Sequence, residues 1–566
     1  MSATHYIRVE GVNMDPFILD TQDLSTIRGG GLLLLEAIQD LCDKYNGQSR
    51  PYLEPISTGA SAGLFRFTGD TDAAKTLVEE IREWLNGHAY FQHATILVDS
   101  VPASAEGFVA DRERLMARIR RRQLASPGLA VPTLVDAGTN GDTPAVCQID
   151  GIRPAQGKPR KIKGEQRVLS RATEVRRGHG VDQKGIDERR VNFYQNLLRR
   201  DLEGQGNNGA DQDKPPLSER INDERFARHF QDIAGSASFG PLNDKMAVLY
   251  LDGNGFTGIQ RKQISAAIKT AIKKGQDKDQ AAIKAQKDFD AEVKRTRAEF
   301  LKWLLEEAVE EANKRRWRVS PHDARQAKEQ DEDEDERAPT GRLRLETLMW
   351  GGDEFMLVLP AWEGWAVAHQ FLTQSAKWKI GNDPLHHALG LVFCGYKAPI
   401  HRVVALAREL ADLAKEDGMR GRKCSSLAYQ VLESFDHLGN GAEDHLTALT
   451  LPGAETRHLI LDVDGVEALS KHLPGLKAPD GLPQRQLKRM VRACFIARDL
   501  AQAGQTWKDL EFDGKATLEG LLHTLSDKAK TGSAAWFQGL YHLDQLWAYV
   551  APEAEAEQAS TQGDAA

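Results

Sequence analysis

No apolar run in the chain approaches the roughly 18 residues that a membrane-spanning helix needs. No charged-then-apolar leader follows Met1. With a mean hydropathy of −0.48, these absences exclude an integral membrane protein and a secreted one, and the expected location is cytoplasmic. Cysteine is scarce: Cys42, Cys147, Cys394, Cys424 and Cys494 are scattered without a CxxC pair. That indicates neither a disulfide framework nor a complete zinc ribbon. An excess of positive charge is also lacking. The formal net charge of −8 argues against nonspecific nucleic-acid binding by the whole surface, although it averages over local asymmetry. What is present is 41% hydrophobic content over 566 residues, ample for several cores and, by length, roughly three or four domains.

The chemistry concentrates in Leu345 to Leu359, LETLMWGGDEFMLVL, where two apolar runs flank Gly351 and Gly352 and the acids Asp353 and Glu354 follow at once. Glycine accepts positive φ without a Cβ clash, so this pair predicts a tight reversal between two strands with both acids at its tip. Buried strands beside an acidic tip form a rigid mount for a hard cation. A partner lies upstream in Met246 to Gln260, MAVLYLDGNGFTGIQ. Its apolar run ends in Asp252 and spills into a glycine-rich loop. Asp252 offers a metal carboxylate, and the backbone N–H groups of Gly253, Asn254, Gly255 and Phe256 offer a phosphate cradle.

Residues 1–105 read as an α/β unit with a strand near Tyr6–Val12, a helix over Gly31–Leu41, a hairpin near Ile56–Phe67, a second helix and a strand at Ala94–Val98. The order mirrors the acidic unit, but the turn over Thr58–Gly63 carries no acid. The unit is therefore expected to be a degenerate duplicate. Residues 106–240 form a basic, mainly helical insert, with Arg118, Arg120, Arg121 and Arg122 on one helix and Lys158, Arg160, Lys161, Lys163, Arg176 and Arg177 in a loop region, a pattern suited to RNA phosphates or to a salt-bridged surface. Gly204–Pro216 reads as a linker and Glu219–Ala234 as one short helix. Residues 241–438 are the expected catalytic unit, with helical stripes at Ile264, Ile268 and Ile272 and at Phe289, Val293, Phe300 and Leu304. An acidic loop, Glu329–Glu336, follows. After the hairpin come a helix near Trp362–Lys379, a strand near Ala388–Phe393, a helix over Pro399–Lys415 and a strand at Ser425–Leu432, a βαββαβ sheet with one further crossover. Residues 439–551 read as a helical domain after a short strand at His458–Val463, and 552–566 as a disordered tail.

Three stretches, AVLYLDGNG, LMWGGDEFMLVLP and LGLVFCGYKAPIHRVVALARELADLAK, together with ILDTQDLSTIRGGGLLLLEAI near the N-terminus, carry a resemblance. The chain resembles the large polymerase-cyclase subunit of type III CRISPR effector complexes, whose palm domain is related to GGDEF cyclases. The resemblance implies an α+β fold with two ferredoxin-like palm (GGDEF-like) domains, the first degenerate, plus a helical insert and a helical C-terminal domain. The chain is expected to start directly in the first palm, without the HD nuclease domain often found ahead of it. The lone His322-Asp323 pair sits in an expected loop, and DNA cleavage is not expected. In CQIDGIRPA, Cys147–Ala155, Asp150 stands where a zinc knuckle of the family has its second cysteine, which puts zinc in doubt. Asn254 replaces the second acid of the first-strand motif, and Glu354 stands where an Asp is usual.

The implied reaction joins ATP molecules into short, cyclic 3′–5′ oligoadenylates that act as an antiviral second messenger, regulated by RNA. Its expected cofactor is Mg²⁺ or Mn²⁺, held by Asp252, Asp353 and Glu354 as catalytic and metal residues. Gly253, Asn254, Gly255, Phe256, Gly351, Gly352 and Lys415 are the expected nucleotide-binding residues. Ser25, Arg28 and Gly29–Gly31 are expected to line an acceptor pocket between the palms. Expected partners are ATP, guide or target RNA and other CRISPR effector subunits, with no membrane. Two alternatives stand beside this one. A non-catalytic scaffold would bind guide RNA and partner subunits. A diguanylate-type cyclase would match Gly351–Phe355 but has Gln260 where such enzymes read guanine with Asn, and Thr257 where a Lys is common.

Overall fold

Two sheets with the same strand order, each joined to helices on its buried side, organise the chain. The structure is a computed structural model and describes residues 3–47, 52–59, 61–125, 146–156, 158–162, 165–180, 193–202, 216–221, 224–323, 340–418, 423–433 and 441–552. Most of the Gly204–Pro216 segment, Lys163, the acidic run Glu329–Glu336 and the tail beyond Pro552 lie outside these residues.

The first unit runs β1 (Ala3–Gly11), α1 (Leu24–Lys44), β2 (Glu54–Thr58), β3 (Ala62–Gly69), α2 (Thr71–Gly87) and β4 (Ile96–Pro102). Its antiparallel sheet has the order β2-β3-β1-β4. Helix α1 begins earlier than the apolar run suggested, because the Asp23 carboxylate accepts the Thr26 amide at 2.9 Å and so satisfies one of the donors that a helix start leaves free. Asp70 caps α2 through the Ala73 amide at 2.7 Å in the same way.

The next stretch contains α3 (Phe108–Ala125), the small pair β5 (Arg160–Ile162) and β6 (Glu165–Arg167), α4 (Arg171–Gly180) and α5 (Phe193–Asp201). Arg176 and Arg177 belong to α4 rather than to a loop. Arg176 is fully buried and bonds both oxygens of Asp20 at 2.9 Å, so it cannot meet an RNA phosphate. Arg118 and Arg122 of α3 both pair with the buried Asp99 of β4. Much of the apparent basic patch is thus neutralised internally. Helices α1 and α4 touch through glycines. A Cβ at Gly29 would stand 1.8 Å from the Arg176 carbonyl oxygen, and one at Gly180 would stand 1.8 Å from that of Ser25.

Glu219–Ala234 is not one helix. Two short ones, Leu217–Arg220 and Phe230–Ala234, are separated by a segment in which Phe226 bridges to Leu343 and the Ala227 amide bonds the Leu343 carbonyl at 2.9 Å. Backbone pairing with a distant segment wins over local helix propensity there.

The second unit runs β7 (Lys245–Asn254), α6 (Phe256–Lys273), α7 (Lys278–Val309), β8 (Glu346–Gly351), β9 (Glu354–Pro360), α8 (Ala361–Ser375), the short β10 (Lys379–Ile380) and β11 (Asp383–Pro384), β12 (His386–Gly395), α9 (Ile400–Asp417), β13 (Ser426–Val431) and β14 (Leu461–Asp462). The sheet order is β14-β13-β12-β7-β9-β8, and its part β8-β9-β7-β12 repeats the order of the first sheet. β13 joins parallel to β12 through α9, which is the additional crossover. β7 is buried along nearly its whole length, which is why it reads as an unbroken apolar run rather than an alternating one. His458 lies in a single helical turn, Thr456–Leu459, and the expected strand there shrinks to β14, because the Asp462 carboxylate caps the helix that follows. Likewise His322 and Asp323 are helical rather than in a loop, and Asp323 pairs with the buried Arg344 at 2.7 Å.

The C-terminal helices pack on this sheet. Tyr429 of β13 bonds His542 at 2.9 Å, and His542 bonds the His458 carbonyl at 2.8 Å. One continuous apolar core runs from Ile7 through the second sheet to Val550.

Candidate functional site: carboxylates at the end of the central strand

The register of β7 against β9 pairs Tyr250 with Met356 and Leu251 with Phe355, so the last residues of β7 run alongside the β8–β9 turn. Gly351 closes β8 opposite Glu354, and Gly352 takes φ +49°, the left-handed conformation a side chain would resist. Contact across the two elements is direct. A Cβ at Gly253 would lie 2.8 Å from the Asp353 Cβ and 2.7 Å from the Phe256 ring. Only glycine leaves the turn room to approach the strand this closely.

Asp252 is 8% exposed, and its carboxylate accepts a hydrogen bond from Lys415 Nζ in the last turn of α9. Burial pushes the Asp353 carboxyl above its ordinary range, and the nearby Asp252 charge pushes it further. Burial likewise raises Glu354, with Asp252 and Asp353 adding to it while the Tyr250 hydroxyl donates a hydrogen bond that opposes the shift. The three acids therefore share one local field. Lys415 is held above its ordinary range: burial opposes its charge, but the Asp252 hydrogen bond and the charges of Asp252 and Asp353 prevail.

Gly255, at φ +70°, turns the chain into α6, and its carbonyl accepts the amides of Gly258 at 2.9 Å and Ile259 at 3.1 Å. The first amides of α6 then lack an intrahelical carbonyl. The Phe256 side chain does not face a ligand space. It is buried with Phe289, Val293 and Leu385, edge-on to Phe289 and His387. Asn254 ends β7 as a buried residue whose amide oxygen and nitrogen both lack a protein partner among the described residues.

The N-terminal residues expected to line an acceptor pocket are occupied by protein instead. Arg28 Nε bonds the buried Glu346 carboxylate of β8 at 2.7 Å, and a Cβ at Gly31 would stand 3.0 Å from the Leu348 carbonyl oxygen. Gly29 and Ser25 meet α4, as described above. Gln260, the position where a diguanylate cyclase reads guanine, accepts from Arg112 at 3.3 Å.

Three neighbours escaped the sequence reading. Tyr250 is two residues before Asp252 and so shares its strand face, a signal that strand periodicity carried. Arg408 stands on α9 two turns before Lys415, with its guanidinium carbon 5.8 Å from the Tyr250 ring centroid and a 2.6 Å bond to Asp15. Arg297 of α7 donates to the Gly352 carbonyl and stacks 4.8 Å from the Trp350 ring, and nothing in the local sequence marks it.

The donor set suits a hard cation. All three candidates are carboxylates, and their mutual repulsion is what a divalent ion relieves. Among the described residues no three His, Cys, Asp or Glu side chains converge on one point. Fewer than three of these acids therefore reach a single ion in this conformation, in keeping with the one or two carboxylates by which Mg²⁺ is commonly held beside substrate phosphates. The Cys147 knuckle is a different case. Asp150 there accepts the amides of Ile152 at 2.8 Å and Arg153 at 2.9 Å and the Thr173 hydroxyl at 2.6 Å. Burial opposes its ionisation, yet these donors and the Arg153 charge hold its carboxyl at about 2. Hydrogen bonds close this turn where a metal closes a ribbon.

No protein-family model matches the chain, and no curated protein matches it. Solved structures do. The chain is similar to one in the apo Csm1-Csm4 cassette, with a TM-score of 0.50 and 14% identity over 96% of this chain and 70% of that one. It is also similar to one in the Csm1-Csm4 cassette in complex with AMPPNP, with a TM-score of 0.50 and 15% identity over 97% of this chain and 70% of that one. At these identities the likeness is one of fold: an α+β architecture related to that of the cassette. Among the described residues no helix is long and apolar enough to cross a membrane.

Proposed function

We propose that the chain is a nucleotidyltransferase of the type III CRISPR kind that converts ATP into cyclic oligoadenylates, with its two sheets forming ferredoxin-like palms of which the first is degenerate. The observation that carries this reading is the close approach of the Asp353 turn to the end of β7, which puts Asp353 and Glu354 in the field of Asp252, with Lys415 paired to Asp252. The matching fold in a cassette solved with AMPPNP, an ATP analogue, supports it. The domain division at 105, 240, 438 and 551, the cytoplasmic location and the binding of RNA and partner subunits belong to the same reading.

Asp252 and Asp353 would hold Mg²⁺, and Glu354, which does not join them on one ion in this conformation, would serve beside it. When bound, such an ion stabilises the negative charge that develops on the phosphate oxygens of an in-line displacement. The reaction joins the 3′-oxygen of one nucleotide to the α-phosphorus of another, and pyrophosphate leaves. Lys415 is placed to exchange its Asp252 partner for a triphosphate oxygen. The first amides of α6, after Gly255, point a helix N-terminus at the same charge. Glu354, its carboxyl raised by burial and by its acidic neighbours, has the basicity to take the proton of the attacking hydroxyl. The Tyr250 hydroxyl donates a hydrogen bond to that carboxylate, and the Arg408 charge favours its ionised form.

Radiolabelled ATP and Mg²⁺ supplied to the purified chain, with and without RNA, tests the proposal. Labelled oligoadenylate from the wild type and none from Asp353→Ala is the expected result. No product under any condition leaves a scaffold, and product from GTP alone leaves the diguanylate alternative.

A further inference from the structure

Helix α7 connects the two sheets at matching places. Around its first half it grips the hairpin of the first unit, whose turn carries no acid: Asp290 accepts the Ser57 hydroxyl at 3.0 Å, Lys294 donates to the Thr58 hydroxyl at 2.8 Å and is itself paired with Asp290 at 2.8 Å, and Lys287 pairs with Glu54 at 2.6 Å. Two turns beyond Asp290, roughly 10 Å along the axis, Arg297 reaches the acidic hairpin of the second unit. Its Nη1 donates to the Gly352 carbonyl, its guanidinium carbon lies 4.8 Å from the Trp350 ring centroid, and its Nε lies buried without a partner among the described residues. Burial works against this charge more strongly than the nearby carboxylates of Asp201, Asp290 and Asp353 favour it, so a guanidinium placed here to hold a turn carbonyl is costly to maintain for stability alone. The carbonyl it holds belongs to the residue immediately before Asp353.

We infer that Arg297 is a positioning residue that fixes the β8–β9 turn, and with it Asp353 and Glu354, to a helix anchored on the hairpin of the first unit. The first unit then has a task although its turn carries no acid. It is the fixed end of the strut that sets where the carboxylates stand. This inference rests on the nucleotidyltransferase reading for its catalytic consequence, but the geometry it assigns is measurable without turnover.

The full chain and its Arg297→Gln variant are compared by Mn²⁺ affinity without nucleotide, followed by electron paramagnetic resonance, by deuterium exchange of backbone amides 351–355, and by ATP kinetics. The variant is expected to bind Mn²⁺ about tenfold more weakly, as loss of an outer-shell support commonly does. Its turn amides exchange faster while those of β12 and β13 do not change, and kcat falls with KM for ATP within about twofold. Arg297→Lys keeps the charge but neither the planar fork nor the stacking face. It gives the same pattern at smaller amplitude and serves in place of the glutamine variant if that one does not fold. A folded Arg297 variant with wild-type Mn²⁺ affinity and wild-type turn exchange overturns the positioning role. A wild-type chain whose turn responds as expected but which makes no product from ATP overturns the nucleotidyltransferase reading alone.

Discussion

Gly253→Ala tests the approach of strand to turn with the addition of one methyl group. No positive φ constrains Gly253, so alanine suits the backbone, and the penalty comes from contact alone. The new Cβ would lie 2.7 and 2.8 Å from two carbons of the Phe256 ring and 2.8 Å from the Asp353 Cβ, where ordinary contact begins at 3.4 Å. Recovering that contact needs a shift of about 0.6 Å. β7 is packed on both sides and Phe256 is buried, whereas Asp353 sits on a partly exposed turn, so the turn moves. Overpacking of this kind costs about 1–3 kcal/mol of stability. A misplacement of about 1 Å in a catalytic group costs on the order of 100-fold in rate, so about 0.6 Å is expected to lower kcat by roughly 10- to 100-fold. Gly258→Ala is the control. It lies on α6 with nothing within 4 Å of its new Cβ, and helix propensity favours the change. Initial rates of ATP conversion and thermal unfolding are measured for both variants. A folded Gly253→Ala protein with the wild-type kcat refutes the reasoning, since the carboxylate spacing would then not govern the chemistry.

Two further outcomes follow from the charges. Asp353 has a folded-state pKa above its unfolded value, so it binds a proton more readily when folded. Stability is favoured at low pH and falls as pH rises through that window, leaving the ionised pair a cost at neutral pH. Asp353→Asn is therefore expected to raise the melting temperature at pH 7 without divalent ions while abolishing product; a lower melting temperature than wild type counts against mutual repulsion at the site. Asp150 is the opposite case, held at about 2 against an ordinary 3.8. Its contribution is present above the unfolded pKa and lost as pH falls toward 2. Asp150→Asn is expected to destabilise at pH 7 and to flatten the acid limb of the stability curve between about pH 4 and 2, and an unchanged acid limb would show that the turn does not depend on this carboxylate.

The hairpin at Gly351-Gly352 and the buried strand ending in Asp252 were legible because each is a local pattern: a positive-φ turn needs glycine, and a strand covered on both faces must be apolar throughout. The repeated order of strands and helices along the chain was legible for the same reason, while the order of strands within each sheet was not. Arg176 shows where such reading ends. As one basic residue in a basic stretch it fitted an RNA contact and a salt-bridged surface alike, and its Asp20 partner lies far back in the chain. Charge on a sequence does not reveal which charges cancel through space. Gly29 to Gly31 looked like a ligand loop, although the absent side chains make room for α4 and β8.

Residue chemistry alone therefore determined which carboxylates are available and the strand-and-turn mounts that carry them, since backbone conformation and burial leave short-range marks. Only the tertiary structure decided that Asp252 keeps Lys415 as its partner, that Gly253 lets the turn approach, and that Arg297 and Arg408 reach the Gly352 carbonyl and the Tyr250 ring from separate helices. Those relations depend on the crossing of helices and the register of β7 against β9, which are set by packing among residues far apart in the chain and leave no local pattern to read.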